Sequence, residues 1–185
     1  MLYEDKSFRL KDGRSALLRS PRPEDDARSL LDYLRTISSE TDFVLRTPEE
    51  CDDDLDKEER YLQGVLDSPS QYMILCEVDG KIAGSCTLTL RTRQKVQHRG
   101  SIAIAMVSRY WNLGIGSQMM TEMVRLAEEA GLHQLELEVI EGNSRAIALY
   151  QKHGFRLRAV HPDFIRARDG SLRDEYLMIR NFPTP

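Results

Sequence analysis

A pair of glycines between a strand-like run and an amphipathic helix is the feature that most constrains the fold of this 185-residue chain. The run, residues 101–107, is almost wholly apolar and predicts a central strand. Gly114 and Gly116 follow it. Beyond them a predicted helix ends at Gly131, and its apolar face is formed by Met120, Met123, Val124 and Ala127. A strand, a glycine turn and a helix in this order indicate an α/β protein.

The segments after Gly131 continue the alternation of strands and helices. A short helix is predicted from Asn143 to His153, and Gly154 closes it. Asp169-Gly170 marks a turn between the last two strands. The strands of this half are predicted at 135–140, 155–160 and 175–180.

The first half begins with a short apolar stretch, Ser15–Arg19, and two predicted helices. Glu24–Asp26 crowd the first turn of the first helix, where carboxylates stabilise the helix dipole. The second helix is indicated by Thr47-Pro48-Glu49-Glu50, in which Thr47 can cap and Glu50 completes a capping box. Its buried face would consist of Leu55, Leu62, Val65 and Leu66.

A hairpin joins these helices to the central strand. Residues 72–78 read as a strand that ends at Asp79-Gly80, a strong hairpin signal, and residues 81–90 return as its partner. The connection from 91 to 100 is basic and polar, and the sequence contains neither repeats nor a linker. We therefore expect one mixed α/β (α+β) domain over residues 1–185, with its core at about 15–182.

Composition excludes several classes of function. The chain has 30 acidic and 26 basic side chains and a formal net charge of -4, so its bulk charge predicts no nucleic-acid partner. No apolar run approaches the roughly 18–20 residues of a membrane helix, and residues 1–6 lack the apolar stretch of a signal peptide. We expect a cytoplasmic protein with no membrane partner.

The cysteines and histidines form no metal-binding pattern. The 3 cysteines lack C-x-x-C spacing and are expected to be reduced thiols, and the 4 histidines are scattered singly. We therefore expect no metal. The residues are Cys51, Cys76, Cys86, His98, His133, His153 and His161.

Two segments carry the residues that predict chemistry. Gly114 and Gly116 can turn the backbone tightly and present its N–H groups at a helix N-terminus, which suits a phosphate. A plain strand-to-helix turn explains the same glycines. In the second segment Asn143 is a good N-cap, and Tyr150 has a hydroxyl that can donate a proton. A capped helix with an aromatic residue in the core explains this segment equally well.

Taken together, the two segments resemble the GCN5-related N-acetyltransferase (GNAT) family. The pyrophosphate-binding pattern of that family, Gln or Arg followed by x-x-Gly-x-Gly or Ala, is similar to residues 111–116, and its Asn-x-x-Ala-x-x-Leu-Tyr-x-x-x-Gly-Phe pattern is complete from Asn143 to Phe155. Trp111 departs from the first pattern, which leaves its contact with the cofactor open. The stretch 163–180 resembles the group that acetylates ribosomal proteins, polyamines and small molecules.

The resemblance implies a single-domain fold with a mixed, mostly antiparallel sheet of about six to seven strands and about four helices. Acetyl-CoA, the implied co-substrate, would lie where the strand ending at Val107 splays from strand 135–140. Met106 and Val107 would pair with its pantetheine arm, and Asn143 would contact that arm. The N–H groups that would hold the pyrophosphate belong to Asn112, Leu113, Gly114, Ile115, Gly116 and Ser117.

The resemblance also implies direct transfer of the acetyl group to a primary amine in a ternary complex. Tyr150 would protonate the departing thiolate, and a backbone N–H near Met106 would polarise the thioester carbonyl. The general base is left open, because residues 101–106 contain no carboxylate. Candidates acting directly or through water are Glu40, Asp42, Glu77, Glu136 and Glu138.

The resemblance implies that an acidic segment, residues 40–67, borders the acceptor pocket, because the first two helices and their connecting loop usually do so in this family. The segment holds eleven carboxylates against Arg46, Lys57 and Arg60, a balance that either steers a cationic amine or merely forms a solvated helix face. A polyamine, an aminoglycoside, an amino acid or a protein N-terminus would each qualify as the amine. The family resemblance also makes a homodimer a candidate assembly.

Two other functions compete with the transferase. A dinucleotide-binding module would also place glycines between a strand and a helix, with Glu136 or Glu138 about 20 residues on. Against it, Met119 occupies the third glycine position. The second competitor is a GNAT fold that binds CoA without turnover and serves as a sensor or scaffold.

Overall fold

The computed structural model describes residues 1–183, and within them one sheet contains all eight strands, in the order β1-β2-β3-β4-β5-β6-β8-β7. Neighbouring strands are antiparallel except β5 and β6. The strands are β1 (Lys6–Arg9), β2 (Ser15–Arg19), β3 (Gln71–Val78), β4 (Lys81–Leu90), β5 (Arg99–Met106), β6 (Gln134–Ile140), β7 (Arg156–Arg166) and β8 (Leu172–Asn181). The helices are α1 (Pro23–Glu40), α2 (Leu55–Asp67), α3 (Ile115–Glu129) and α4 (Ser144–Lys152).

This architecture confirms the predicted mixed α/β class and the four helices, but the sheet has one strand more than expected. The additional strand is β1, which pairs with β2. Its four residues include a single apolar side chain, Phe8, so no alternating pattern announced it. The dinucleotide-binding alternative requires a doubly wound parallel sheet, and the described residues do not form one. Of the predicted domain, 184–185 lie outside the described residues.

The predicted start of the second helix was wrong by about two turns. The capping box does form, because the Thr47 N–H donates to the Glu50 carboxylate at 2.8 Å, but it closes only a single 3-10 turn, Pro48–Glu50. Helix α2 begins at Leu55, where the Asp54 side chain accepts from the backbone N–H of Lys57 at 3.0 Å. The intervening aspartates are weak helix formers, and Asp54 is a strong N-cap.

The two pairs of helices cover opposite faces of the sheet. The Tyr33 hydroxyl on α1 lies 3.1 Å from the Ser85 hydroxyl, and Ser85 pairs with Ala105 across β4 and β5. Met106 is the next residue along β5, so its side chain points to the other face. There it packs near Gly116 at the start of α3. The sheet is therefore buried between α1 and α2 on one side and α3 and α4 on the other.

The sheet opens at its centre, between β5 and β6. These strands pair in parallel only from Arg99↔Gln134 to Ser101↔Glu136. Beyond this point β6 continues beside β8 and β5 beside β4, so the facing edges of β5 and β6 diverge. An unpaired strand edge offers backbone hydrogen-bonding groups to an extended ligand.

A buried ionic network ties the first helix to the sheet. Arg19 on β2 donates to both carboxylate oxygens of Asp26, at 2.6 and 2.8 Å, and to Glu77 on β3 at 2.9 Å. Burial alone would raise the pKa of Asp26, but the Arg19 guanidinium and the Arg22 N–H hold that pKa below its usual value. The ionised form of Asp26 is therefore the one that stabilises the fold.

We expect Asp26→Asn to lower the free energy of unfolding near neutral pH by about 2–3 kcal/mol, because the buried Arg19 charge loses its main partner. Because the pKa of Asp26 is lowered in the folded state, its contribution is present above the unfolded value of about 3.9 and is lost as the pH falls through the folded value. Urea unfolding should therefore show a wild-type advantage that shrinks in acid.

The matched control for this variant is Asp25→Asn, which removes an exposed carboxylate from the same helical turn. It should change the unfolding free energy by less than about 0.5 kcal/mol. Equal effects of the two substitutions would contradict a stabilising role for the buried network.

Candidate active site

The loop between β5 and α3 presents free backbone N–H groups at the start of a helix. Gly114, the N-cap of α3, has a φ of 100°, a value that a side chain would strain. The first helical hydrogen bond runs from the Gln118 N–H to the Gly114 carbonyl at 3.1 Å. The amides of residues 115–117 therefore have no acceptor within the helix and point at the loop. This geometry suits an anionic group.

Three cationic side chains surround a cavity above this loop, and sequence reasoning did not find them. They are Lys11, Arg145 and Lys152, which line the cavity together with Gly114 and Ser117. Lys11 belongs to the turn after β1, and its N–H donates to the Leu113 carbonyl at 3.2 Å. Because the strand β1 was missed, the turn that brings Lys11 to the loop could not be predicted.

Trp111, whose contact with the cofactor the sequence left open, lies in the wall of the cleft. Its indole N–H donates to the Met106 carbonyl at 3.0 Å, and the Arg145 guanidinium lies 3.9 Å from its ring centroid. The side chain lines both the cavity above the loop and the cavity in the sheet opening. It thus joins the loop, the end of β5 and α4.

Met106 and Val107 occupy different environments at the end of β5. Met106 lines both cavities. Val107 is buried, its N–H donates to the Ala83 carbonyl on β4, and its carbonyl accepts from Tyr110, each at 3.0 Å. The Val107 N–H is therefore engaged within the protein, whereas Met106 faces the opening.

Helix α4 delivers Asn143 and Tyr150 to the same opening. The Asn143 side chain accepts from the Ala146 N–H at 3.3 Å, which confirms it as the N-cap. Tyr150 is 6% exposed and packs against Phe155, with ring centroids 6.3 Å apart. Its hydroxyl has no hydrogen-bond partner among residues 1–183. Burial raises the pKa of Tyr150 to about 12, so the hydroxyl keeps its proton at neutral pH.

Two of the predicted general-base candidates are held by arginines within the sheet. Glu77 pairs with Arg19, as described above. Glu136 is 8% exposed and accepts from Arg91 at 2.8 Å and also from Arg99. Burial would raise the pKa of Glu136, but the two guanidinium groups hold it below its usual value. Neither carboxylate is poised to take a proton from a substrate.

The two candidates after α1 also have partners. The Glu40 carboxylate accepts from the Ser108 N–H at 2.7 Å, and Asp42 pairs with Arg168 at 3.0 Å. The segment just beyond them, with Phe43 and Val44, lines the sheet opening. Glu40 and Asp42 thus anchor the wall of the cleft.

Glu138 is the one predicted base candidate without an ionic or hydrogen-bond partner in the described part of the chain. It lines a cavity at the inner end of the opening, together with Tyr150 and Ile104. Glu175 on β8 lines the same cavity, and its side chain is 14% exposed. Sequence reasoning missed Glu175, because only the pairing of β6 with β8 brings it beside Glu138.

The acidic segment 40–67 divides into two parts. Its beginning contributes Thr41, Phe43 and Val44 to the opening. Further along, Asp52 pairs with Lys57 at 2.5 Å and Asp53 with Arg35 at 3.0 Å. Only three of the eleven carboxylates, Asp42, Asp52 and Asp53, form ion pairs within the described residues, so the segment keeps most of its predicted negative charge.

Three cavities along the cleft share residues with one another. The cavity above the loop and the one in the opening share Met106, Trp111 and Arg145. The opening and the inner cavity share Asn143 and Tyr150. One continuous path therefore runs from the cationic loop, along β5, to Tyr150 and the two glutamates.

Residues 1–183 contain neither a metal-binding cluster nor a membrane-spanning helix. Their histidine, cysteine and acidic side chains form no group of three that could hold a metal ion. None of the helices there combines the length and the apolar character needed to cross a membrane. The three cysteines are buried and free.

Comparisons with known proteins match this architecture. A family model described as the acetyltransferase (GNAT) family matches residues 31–155. The acetyltransferase of GNAT family from Streptococcus pneumoniae is 33% identical, with a TM-score of 0.83, and the match covers 90% of this chain and 99% of that one.

Two further proteins extend the comparison. The L-amino acid N-acetyltransferase AaaT of Escherichia coli (strain K12) is 28% identical over 117 residues, which make up 63% of this chain and 72% of that protein. The yncA protein of Salmonella typhimurium, whose structure holds its cofactor acetyl-CoA, matches with a TM-score of 0.77 at 14% identity and covers 92% of this chain and 95% of that one. The second likeness shows the fold alone.

Proposed function

The chain belongs to the acetyltransferase (GNAT) family, and on that premise we propose that it transfers an acetyl group from acetyl-CoA to a primary amine by direct attack in a ternary complex. The predicted N-acetyltransferase class and GNAT fold are thereby confirmed at the level of the family. The observation that carries the proposal is the continuous path from the cationic loop to Tyr150, whose hydroxyl has no partner in the described part of the chain.

The features of the cleft fit acetyl-CoA. The phosphates would meet the free amides at the start of α3 and the charges of Lys11, Arg145 and Lys152. The pantetheine arm would lie along the unpaired edge of β5 at Met106, opposite Asn143. Val107 would support this edge from the β4 side, since its N–H is bound to Ala83. The loop residues assigned to the pyrophosphate are Asn112, Leu113, Gly114, Ile115, Gly116 and Ser117.

Acetyl-CoA supplies an activated thioester when it is bound. Tyr150 holds the proton that the departing thiolate needs, because burial keeps its hydroxyl protonated at neutral pH. A backbone N–H near Met106 would polarise the carbonyl. At the acceptor end, Glu138 is the one predicted base candidate left without a partner inside the described residues, which supports a role in receiving the amine.

The acceptor we propose is a small-molecule amine or the amine of a peptide or protein. Glu138 and Glu175 make the inner cavity acidic, which favours a cationic amine. The relative AaaT is named an L-amino acid N-acetyltransferase, so amino acids belong among the first acceptors to test. We further propose that the protein acts in the cytoplasm and without a metal, as its sequence predicts.

The test is thiol release from acetyl-CoA in the presence of spermidine, L-methionine, kanamycin or a short peptide with a free N-terminus. Calorimetric binding of acetyl-CoA is measured on the same sample. We expect binding and release with at least one of these acceptors. Binding without release would instead favour a CoA sensor or scaffold, and absence of binding would contradict the cofactor assignment.

A further inference from the structure

We propose that Glu138 and Glu175 form a paired carboxylate site for the ammonium group of the acceptor, in which Glu138 holds the cation and Glu175 takes its proton. The inference rests on the proposed function and names its substrate class, an amine that arrives protonated. Sequence patterns pointed to Glu138 among five candidates and did not point to Glu175.

The register of two strands brings the carboxylates together. Glu138 on β6 pairs with Leu177, and Ile140 pairs with Glu175 on β8. Paired residues point to the same face of a sheet, so both glutamates face the same side, as diagonal neighbours about 7–8 Å apart. Both line the inner cavity of the cleft.

The pair lacks the cation that such an arrangement usually contains. Within residues 1–183, neither glutamate forms an ion pair with a lysine or an arginine. The exposed imidazole of His161 on β7 lies beside Glu175, with its Nδ1 4.0 Å from a Glu175 carboxylate oxygen. Like charges at neighbouring sheet positions are unfavourable, and a bound ammonium would offset their repulsion.

A second observation, independent of the acidic pair, points to a ligand in this cavity. Tyr150 lines it from α4, is 6% exposed, and has a hydroxyl with no hydrogen-bond partner in the described residues. Buried hydroxyl groups normally have a partner. Tyr150 lines both the inner cavity and the opening, which is where a substrate would meet both the donor and the carboxylates.

The environments of the two glutamates differ in a way that assigns their roles. Glu138 is exposed and forms no ion pair within the described residues. Burial and the neighbouring charge of Glu138 raise the pKa of Glu175, and His161 lowers it in part. A carboxylate with a raised pKa is a better proton acceptor near neutral pH. Besides these residues, Tyr150 lines the cavity from α4, and Arg173 precedes Glu175 on the same face of β8. Glu138 also lines a second cavity, together with Glu136 and its partner Arg91.

The protons balance along this route. An ammonium ion gives one proton to Glu175, and its nitrogen then forms the C–N bond. The C–S bond breaks, and the thiolate takes a proton from Tyr150. The second proton of the nitrogen leaves as the amide forms and restores the Tyr150 hydroxyl. The net products are the amide, free CoA thiol and one proton, which Glu175 passes to solvent.

The test uses Glu175→Gln and Glu138→Gln with whichever of spermidine, L-methionine, kanamycin or the peptide the wild type acetylates fastest. We expect Glu175→Gln to lower kcat/KM about 100-fold and to abolish its rise with pH. We expect Glu138→Gln to raise KM about tenfold. The rise of kcat/KM with pH should move to lower pH, because the pKa of Glu175 falls when the neighbouring negative charge is removed. Acetyl-CoA affinity should stay within about twofold in both variants.

The matched control is Asp174→Asn, one residue away on β8. In the wild type the Asp174 carboxylate accepts from the Asp163 N–H at 3.0 Å. The amide oxygen of an asparagine can accept the same hydrogen bond, so the substitution removes only a charge. We expect wild-type kinetics and pH dependence. If Glu175→Gln kept the wild-type pH profile and a kcat/KM within about twofold of the wild-type value, the inference would be overturned while the proposed function would stand. A wild type that acetylates none of the four acceptors would overturn the proposed function, and the inference with it.

Discussion

Tyr150→Phe is expected to lower kcat roughly 10- to 1000-fold while acetyl-CoA affinity stays within about twofold. The substitution removes one oxygen that has no hydrogen-bond partner within residues 1–183, so no buried group is left unsatisfied. The ring still packs against Phe155. The loss should therefore appear in turnover, where the departing thiolate needs a proton, and not in the fold. Steady-state kinetics and calorimetry on the same preparation measure the two effects separately.

Tyr72→Phe is the control for this experiment. Tyr72 lies on β3, packs against the core, and lines none of the three cavities of the path. We expect its kcat to match the wild type. If Tyr150→Phe also turned over like the wild type, Tyr150 would have no part in the mechanism.

Gly114→Val is expected to weaken acetyl-CoA binding by about 10- to 100-fold. A Cβ at this position would meet no atom within 4 Å, so crowding is not the cause. The φ of 100° is the cause, because a β-branched residue is strained there by about 1–3 kcal/mol. Relief of this strain would turn the amides of residues 115–117 away from the phosphates. Calorimetric titration with acetyl-CoA measures the change.

The chain offers a matched control in Gly170→Val. Gly170 has a φ of 84°, and a Cβ there would also meet no atom within 4 Å, but it lies in the turn between β7 and β8. The strain and the loss of thermal stability should be similar, with acetyl-CoA affinity unchanged. Equal affinities in the two valine variants would contradict the assignment of the loop to the pyrophosphate.

Local signals were sufficient to predict the parts of the site that depend on short stretches of chain. The turn at Gly114 and the N-cap at Asn143 each depend on residues within one or two turns of them, so sequence alone predicted their positions. The same kind of reasoning failed at Thr47. Its capping box formed, but a capping box reports the start of a turn and does not ensure that a long helix follows.

The acceptor end depends on contacts between distant parts of the chain, and sequence reasoning could not resolve it. Five carboxylates were equivalent as base candidates because their partners were unknown. In the fold, Arg19 engages Glu77, while Arg91 and Arg99 engage Glu136. Likewise, Glu175 joins the site only through the register of β6 and β8. Such pairings are set by the packing of the whole sheet and leave no local periodic pattern.

The most direct test of acetyl transfer is mass spectrometry of the acceptor after reaction with acetyl-CoA labelled in its acetyl group. Free thiol is counted in the same reaction. We predict an amide that carries one labelled acetyl group for each thiol released. Thiol released without labelled amide would mean that the protein hydrolyses the thioester, and it would contradict the account of this cleft as an amine acetyltransferase.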